Sequence, residues 1–163
     1  MGSDLKIKIR DSAVDLANFA KLRQLKEKSP HIKMLISVGG WTWSDKFFDV
    51  ALTDESRRSL PTVSLGLLSS MVGGVDLDWK HPVSGGLSSN TTRPEDKTNF
   101  TLLMAKLREK LDEQGRLDEC HCLLTFAGAA GENTELNVLS NYVDFATVMT
   151  YDMHGSWEGC YTV

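Results

Sequence analysis

Short apolar segments alternate with segments of helical spacing along this chain, and this alternation limits the fold more than any other feature. The apolar segments at residues 33–38, 75–79, 122–127 and 143–151 have the length and composition of buried strands. Strands buried on both faces are typical of parallel sheets, whose crossovers are usually helices. The sequence therefore predicts an α/β fold with parallel strands and right-handed crossover helices, either an open doubly wound sheet or part of a (β/α) barrel.

The predicted helices differ in how clearly their ends are marked. The first ends near Ser29, and its apolar stripe should pack on the sheet. Thr53 or Asp54 could cap a second helix. The third begins at Pro94, and Gly115 stands where a left-handed cap belongs. The stripes consist of Leu16, Phe19, Ala20, Leu22 and Leu25 in the first helix and of Phe100, Leu103, Met104, Leu107 and Leu111 in the third.

Three further segments carry weaker signals. Residues 59–74 contain no charged side chain and are interrupted by Pro61 and Gly66, so no element is well specified there. Residues 82–93 are rich in Gly, Ser, Asn and Thr, which is typical of a loop. Residues 134–142 predict a short helix before the last strand.

Composition excludes several classes of function. A chain of 163 residues with 41% hydrophobic content can bury one core, which predicts a single domain. The net charge is −4 and no run of Lys or Arg exists, so neither nucleic acid nor an anionic membrane is an expected partner. No apolar run has signal-peptide or membrane-spanning length, which predicts a soluble chain as written. No phosphate-binding fingerprint and no nucleophile elbow follows any strand.

Cysteine and histidine spacing gives no indication of a metal site. Cys120 and Cys122 are too close in sequence to bridge comfortably, so either one of them pairs with Cys160 or the thiols are free. The four histidines lie far apart without ligand spacing; they are His31, His81, His121 and His154. We therefore expect no metal and no cofactor.

The segment at residues 75–80 is the one most suggestive of chemistry. Side chains alternate across a strand, so Asp76, Asp78 and Lys80 share one face. The opposite face is apolar and consists of Val75, Leu77 and Trp79. A charge row on a solvent-facing edge strand would explain this pattern without function. The apolar flanks favour a central strand instead, in which carboxylates held partly away from water must pair or serve a function.

Three motifs in order resemble those of family 18 glycoside hydrolases, the chitinases and their relatives. Gly73–Lys80 is similar to the fourth-strand pattern Asp-Gly-any-Asp-any-Asp-Trp-Glu, except at its first and last positions. Ser37–Trp41 resembles the third-strand motif, and Met149–Asp152 resembles the sixth-strand motif. The resemblance implies that residues 1–163 form a single incomplete catalytic-type domain. It would be a partial TIM-type (β/α) barrel with strands three to six and without the first two and last two.

The resemblance also implies a mechanism in which the substrate assists its own hydrolysis. In this family a Glu protonates the leaving oxygen while the sugar's acetamido oxygen attacks the anomeric carbon, an exception to the two-carboxylate scheme. Carried over by position, Asp78 would orient the acetamido group and Asp76 would share a proton with it. Tyr151 would donate a hydrogen bond to the acetamido carbonyl. Lys80 stands where the acid belongs.

The sugar-binding residues are carried over in the same way. Trp41 and Asp152 would line the sugar site, and Trp79 and Met149 are assigned to substrate binding with them. Aromatic rings suit a pyranose because its C–H face is apolar. The implied ligand is chitin or a chito-oligosaccharide. The resemblance suggests a secreted protein, although the first residues contain no signal-peptide pattern.

Two departures from the motif predict a loss of activity. A lysine ammonium titrates near ~10.4, so it cannot replace a carboxylic acid as proton donor near neutral pH. Gly73 removes the first carboxylate of the pattern. The preferred hypothesis is a pseudoenzyme that at most binds N-acetylglucosamine oligomers weakly, with Lys80 and Asp78 as an internal ion pair. The alternatives are residual chitinase activity through Glu132 or Asp152, and a non-functional barrel fragment. Open sheet edges predict a second copy or a complementing chain.

Overall fold

The computed structural model describes residues 11–59, 73–129, 133–151 and 154, and these residues form one parallel sheet with flanking helices. The strands are β1 (Ile36–Gly39), β2 (Gly74–Asp78), β3 (Leu123–Ala129) and β4 (Phe145–Met149). The helices are α1 (Ser12–Lys28), α2 (Phe47–Val50), α3 (Asp54–Ser59), α4 (Asp96–Leu117) and α5 (Leu136–Leu139). The strands pair in the order β1-β2-β3-β4, all parallel, which confirms the predicted α/β class.

The register brings four side chains onto one face of the sheet. Ser37 pairs with Asp76, Asp76 with Thr125, and Thr125 with Phe145. Paired residues of neighbouring strands point to the same side, so the carboxylate face runs across all four strands. Since the strands are parallel, their carboxyl ends meet at one edge. The last described residues of the three sequence motifs, Trp41, Lys80 and Tyr151, follow the strands at that edge.

The core lies on the opposite face of the sheet and is rich in aromatic rings. Trp79 is 1% exposed and packs against Phe47, Phe48 and Phe100 at ring-centroid distances of 5.7, 5.0 and 5.9 Å. Phe100 in turn packs against Phe126 of β3 at 5.4 Å. Each such ring buries a large apolar area, so α2 and α4 are held on the sheet mainly by these contacts.

Helix α1 confirms the predicted helix but not its predicted packing. Its N-cap is Asp11, whose carboxylate accepts from the backbone N–H groups of Ala13 and Val14. Leu16 and Leu25 of the expected apolar stripe are 54% and 44% exposed. Within the described residues, the core on the apolar face is built by the strands and by α2, α4 and α5. The expected burial of the stripe is therefore wrong for Leu16, Ala20 and Leu25, whereas Phe19 and Leu22 are half-buried.

The end of helix α4 differs from the prediction at Gly115. The helix continues through Gly115 to Leu117, and the left-handed residue is Glu119 with φ 51°. The N–H of Cys120 donates to the carbonyl of Gly115 at 2.9 Å, which is the bond of a Schellman cap. A Cβ on Gly115 would lie 2.4 Å from the Cys120 carbonyl oxygen. The glycine is required for close approach rather than for a left-handed conformation.

Other predicted segments have mixed outcomes. Thr53 caps α3, since its hydroxyl accepts from the Ser56 N–H at 3.0 Å. The sequence reasoning missed α2, and residues 60–72 lie outside the described residues.

Cys120 and Cys122 are free thiols, and burial together with the neighbouring Cys120 raises the pKa of Cys122 to about 11. Cys160 is also outside the described residues. No helix in the described ranges is long and apolar enough to cross a membrane.

Asp144 fixes the start of β3 at the end of the sheet away from the motifs. Its carboxylate accepts from the Leu124 N–H at 2.8 Å and contacts His121 at 2.6 Å and Arg108 at 3.4 Å. Burial raises the pKa of Asp144, but the hydrogen bonds from Leu124 and His121 and the charges of His121 and Arg108 outweigh it. The pKa therefore lies below its ordinary value.

Replacement of Asp144 by asparagine should flatten the acid limb of the stability curve. A carboxylate with a lowered pKa in the fold stabilises the chain above its ordinary value of 3.8, and this contribution is lost as pH falls through the folded value. After allowance for solvent screening, we expect the native chain to lose about 0.5 kcal/mol more than Asp144→Asn between neutral and acidic pH. Urea unfolding at several pH values measures this. Asp45→Asn, at an exposed carboxylate that lies 3.4 Å from Lys46 and far in sequence from Asp144, is the control. Equal acid losses in the native chain and Asp144→Asn would contradict the prediction.

Candidate functional site

The carboxylate of Asp76 joins three neighbouring strands on the open face of the sheet. Ser37 on β1 donates from its hydroxyl to Asp76 Oδ2 at 2.9 Å. Thr125 on β3 donates to Oδ1 at 2.7 Å and is 1% exposed. Both carboxylate oxygens are thus satisfied within the sheet, so Asp76 is held in one orientation. Sequence reasoning missed Ser37 and Thr125, although their positions in the strand alternation could have indicated them.

The second carboxylate, Asp78, is engaged by Lys80. The Lys80 ammonium donates to Asp78 Oδ1, and it also lies 2.8 Å from the sulfur of Met149 at the end of β4. Lys80 is 8% exposed, so the amine is enclosed by these partners instead of by water. The predicted internal ion pair is therefore present. Since β3 lies between β2 and β4, the lysine side chain reaches across the carboxyl end of β3.

Backbone contacts fix the turn that carries these groups. Ser44 is 0% exposed, and its hydroxyl accepts from the Lys80 N–H at 2.9 Å and lies 2.7 Å from the carbonyl of Gly40. The Gly40 N–H donates to the carbonyl of Asp78 at 2.8 Å. A Cβ on Gly39 would lie 2.3 Å from that same carbonyl oxygen, and Gly39 has φ 115°. Only glycine allows β1 to approach β2 so closely here. No sequence signal identified Ser44.

The aromatic residues of the motifs lie in different environments. Trp41 is 54% exposed at the carboxyl edge, where its ring stands edge-on to His81 at 6.3 Å. Trp79 belongs to the buried core on the other face, so its assignment to sugar binding is corrected to a packing role. Alternation along β2 places Trp79 opposite the carboxylates, as the sequence itself predicted.

The remaining candidates come from the end of β4. The sulfur of Met149, a residue that was predicted to bind the substrate, lies 2.8 Å from the Lys80 amine. Tyr151 is 63% exposed and follows β4 at the same edge as Lys80. Asp152 and Glu132 lie outside the described residues. Among the described residues, no group of three or more His, Cys, Asp or Glu side chains could hold a metal ion.

The charges at this edge act on His81. Burial lowers the pKa of His81, the Lys80 ammonium lowers it further, and Asp78 opposes both effects. The imidazole is therefore neutral at neutral pH. The site as a whole offers two carboxylates held by donors, one enclosed ammonium and an exposed indole ring. Such a set can bind a polar ligand with an apolar face, but it has no carboxylic acid at position 80.

Comparisons with known proteins identify the scaffold. The family model of glycosyl hydrolases family 18 matches residues 1–163. Chitinase A1 of Niallia circulans is 47% identical over 146 residues, which cover 86% of this chain and 21% of that protein. The chain spans less than a third of the length of the curated relatives, namely 21%, 28% and 23% of the first three.

Solved structures agree with this result. A family 18 N-acetylglucosaminidase from Paenibacillus barengoltzii has a TM-score of 0.82 at 34% identity, covering 96% of this chain and 46% of that one. Catalytic domain 2 of a group II chitinase from Ostrinia furnacalis, in complex with penta-N-acetylchitooctaose, has a TM-score of 0.78 at 29% identity, covering 94% and 41%. The four parallel strands are therefore part of a (β/α) barrel. The chain belongs to family 18 of the glycosyl hydrolases and has a chitinase-like scaffold.

Proposed function

We propose that this protein is a chitinase-like pseudoenzyme that binds chito-oligosaccharides weakly and does not hydrolyse them. The observation that carries the proposal is the ion pair between Lys80 and Asp78 at the position where the family motif has its acid. Residues 1–163 act as one incomplete barrel domain. The residues that we assign to the site are Asp76, Asp78, Lys80 and Tyr151, with Trp41 and Asp152 for the sugar.

Two features of Lys80 argue against hydrolysis. An ammonium does not release its proton to a leaving oxygen near neutral pH, and the loss of a general acid costs about 10² to 10⁴ in rate. The cation would also repel the positive charge that develops on the sugar in the transition state. Gly73 removes a further carboxylate from the motif. Hydrolysis is therefore lost for more than one reason.

Weak binding follows from what the site retains. The exposed ring of Trp41 suits the apolar face of a pyranose, and Asp78 and Tyr151 remain as polar partners. A sugar that uses Asp78 must compete with Lys80 for the same carboxylate, which lowers its affinity. The solved relative from Ostrinia furnacalis is in complex with a chito-oligosaccharide, and we extend that ligand class to this chain as part of the proposal.

The sheet edges suggest a partner that completes the barrel. Phe145 and Val148 on β4 are 51% and 52% exposed, and the strand has β3 on one side only within the described residues. An uncovered edge strand with apolar side chains pairs readily with another chain. A second copy or a complementing chain would cover it.

The test is a titration with chitotetraose together with a turnover assay on the same sample. We expect a calorimetric signal with a dissociation constant in the millimolar range and no product by chromatography. Trp41→Ala should remove the signal, whereas His31→Ala, at an exposed turn, should leave it unchanged. Measurable turnover in the native chain would overturn the proposal in favour of a residual chitinase. If the titration shows no binding heat at millimolar sugar, the only remaining alternative is a barrel fragment without function.

A further inference from the structure

The ring of His81 lies near the exposed Trp41 and near Gly85 in the loop that follows β2. The two rings are edge-on, with an interplanar angle of 76° and a centroid distance of 6.3 Å. A Cβ built on Gly85 would lie 3.3 Å from Cδ2 of His81, and Gly85 has φ 91°. The glycine therefore leaves room for the imidazole. The half-buried ring of His81 thus has Trp41 and Gly85 as close neighbours, and no role has been assigned to it so far.

The loop that holds His81 is tied down at several points. The side-chain amide of Asn90 donates to the Lys80 carbonyl at 3.0 Å, and a Cβ on Gly86 would lie 2.2 Å from that same oxygen. Farther along, Asn133 donates from its amide to the hydroxyl of Ser84 at 3.1 Å. These contacts leave the loop little freedom. The imidazole is consequently held in one position, and the ring of Trp41 can pack against it.

Charged groups reach His81 from the end of β2. Lys80 and Asp78 act on it with opposite sign, and the burial of the ring and the lysine together keep the imidazole neutral at neutral pH. Protonation would place a second cation beside the Lys80 ammonium.

We propose that His81 is a positioning residue whose neutral ring orients the indole of Trp41 so that its face is presented to a pyranose. The inference rests on the proposed function, because a presented indole matters only if a sugar binds there. His81 acts through Trp41 and does not contact the reacting atoms. By holding the indole of Trp41 in one orientation, His81 reduces the conformational entropy that this side chain loses when a sugar binds.

Two variants separate the ring of His81 from its charge. An edge-on aromatic contact corresponds to about 2- to 10-fold in affinity, so His81→Ala should weaken chitotetraose binding by that factor at pH 7.5. His81→Phe keeps a ring and should bind as the native chain does. Lowering the pH through the pKa of His81, which burial and the Lys80 ammonium hold below its ordinary value of 6.5, should weaken binding to the native chain but not to His81→Phe. Unchanged binding in His81→Ala, or the same acid loss in His81→Phe as in the native chain, would overturn the proposal.

A readout without sugar distinguishes failure of this inference from failure of the proposed function. With 5-fluorotryptophan incorporated, the fluorine resonance of Trp41 is assigned through Trp41→Phe. His81→Ala should shift or broaden that resonance, His81→Phe should do so less, and the exposed control His31→Ala should not change it. If the native chain binds no sugar, the proposed function fails while this readout still decides about His81. An identical Trp41 resonance in His81→Ala would overturn the positioning role.

Discussion

Replacement of Lys80 by glutamate is expected to give measurable hydrolysis of chitotetraose where the native chain gives no product, because a general acid contributes about 10² to 10⁴ in rate. The new carboxyl group would occupy a position that is 8% exposed and lies on the same strand face as Asp78. Burial and a neighbouring carboxylate both favour the protonated form, which is the form that donates. The change also releases Asp78 from its ion pair. Product formation followed by chromatography measures the effect.

Two controls isolate the acid from other consequences of the change. Lys80→Gln removes the ammonium and frees Asp78 but supplies no titratable group, so it should remain inactive. Lys21→Glu makes the same change of charge on the exposed surface of α1 and should also remain inactive. Equal rates for Lys80→Glu and Lys80→Gln would contradict the prediction. That outcome would indicate that features of the scaffold other than Lys80 limit activity.

Gly73 gives a way to extend this experiment. Its φ is 55°, and a Cβ there would lie 3.6 Å from the Met34 carbonyl oxygen, which is ordinary contact. Aspartate tolerates the left-handed region better than most residues. Gly73→Asp combined with Lys80→Glu restores the motif at both positions where this chain departs from it. We expect its rate to equal or exceed that of Lys80→Glu alone.

Much of this site could be predicted from sequence because strand alternation and parallel pairing are simple geometric rules. The shared face of Asp76, Asp78 and Lys80 follows from alternation, and the meeting of the motifs at one edge follows from parallel order. The ion pair follows from charges two residues apart on one face. Alternation also separates Trp79 from the carboxylates, although the motif assignment had placed it with them.

Other features could not be predicted, since they depend on contacts between distant parts of the chain. The buried hydroxyl of Ser44 reaches β2 from a loop 36 residues earlier, and no local pattern indicates such a partner. Gly115 carries the usual signal of a helix end, but the Cys120 carbonyl requires a glycine there inside the helix. The apolar stripe of α1 predicts burial, yet burial depends on which surfaces the sheet leaves free. A sequence pattern shows which side chains a segment could bury, but it does not show which surface of the fold is available to cover them.

Replacement of Trp79 by alanine is expected to reduce the free energy of unfolding by about 3–5 kcal/mol, as for other buried aromatic residues. The indole contacts three rings, and it is among the largest side chains in the core, so truncation would leave a cavity that α2 and α4 cannot readily fill. A domain of this size is stable by about 5–15 kcal/mol, and the change would remove a large part of that. Urea unfolding followed by far-ultraviolet circular dichroism measures the loss.

Two matched variants show whether packing is the cause. Trp41→Ala removes the same side chain from a position that is 54% exposed and should cost less than about 1 kcal/mol. Trp79→Phe keeps a ring in the core and removes Nε1, which has no hydrogen-bond partner among the described residues, so it should cost less than Trp79→Ala. Similar losses for Trp41→Ala and Trp79→Ala would contradict the assignment of Trp79 to the core. Because Trp79 stands between Asp78 and Lys80 in the chain, a loosened core would also loosen the ion pair, and the same ring therefore supports both the fold and the site.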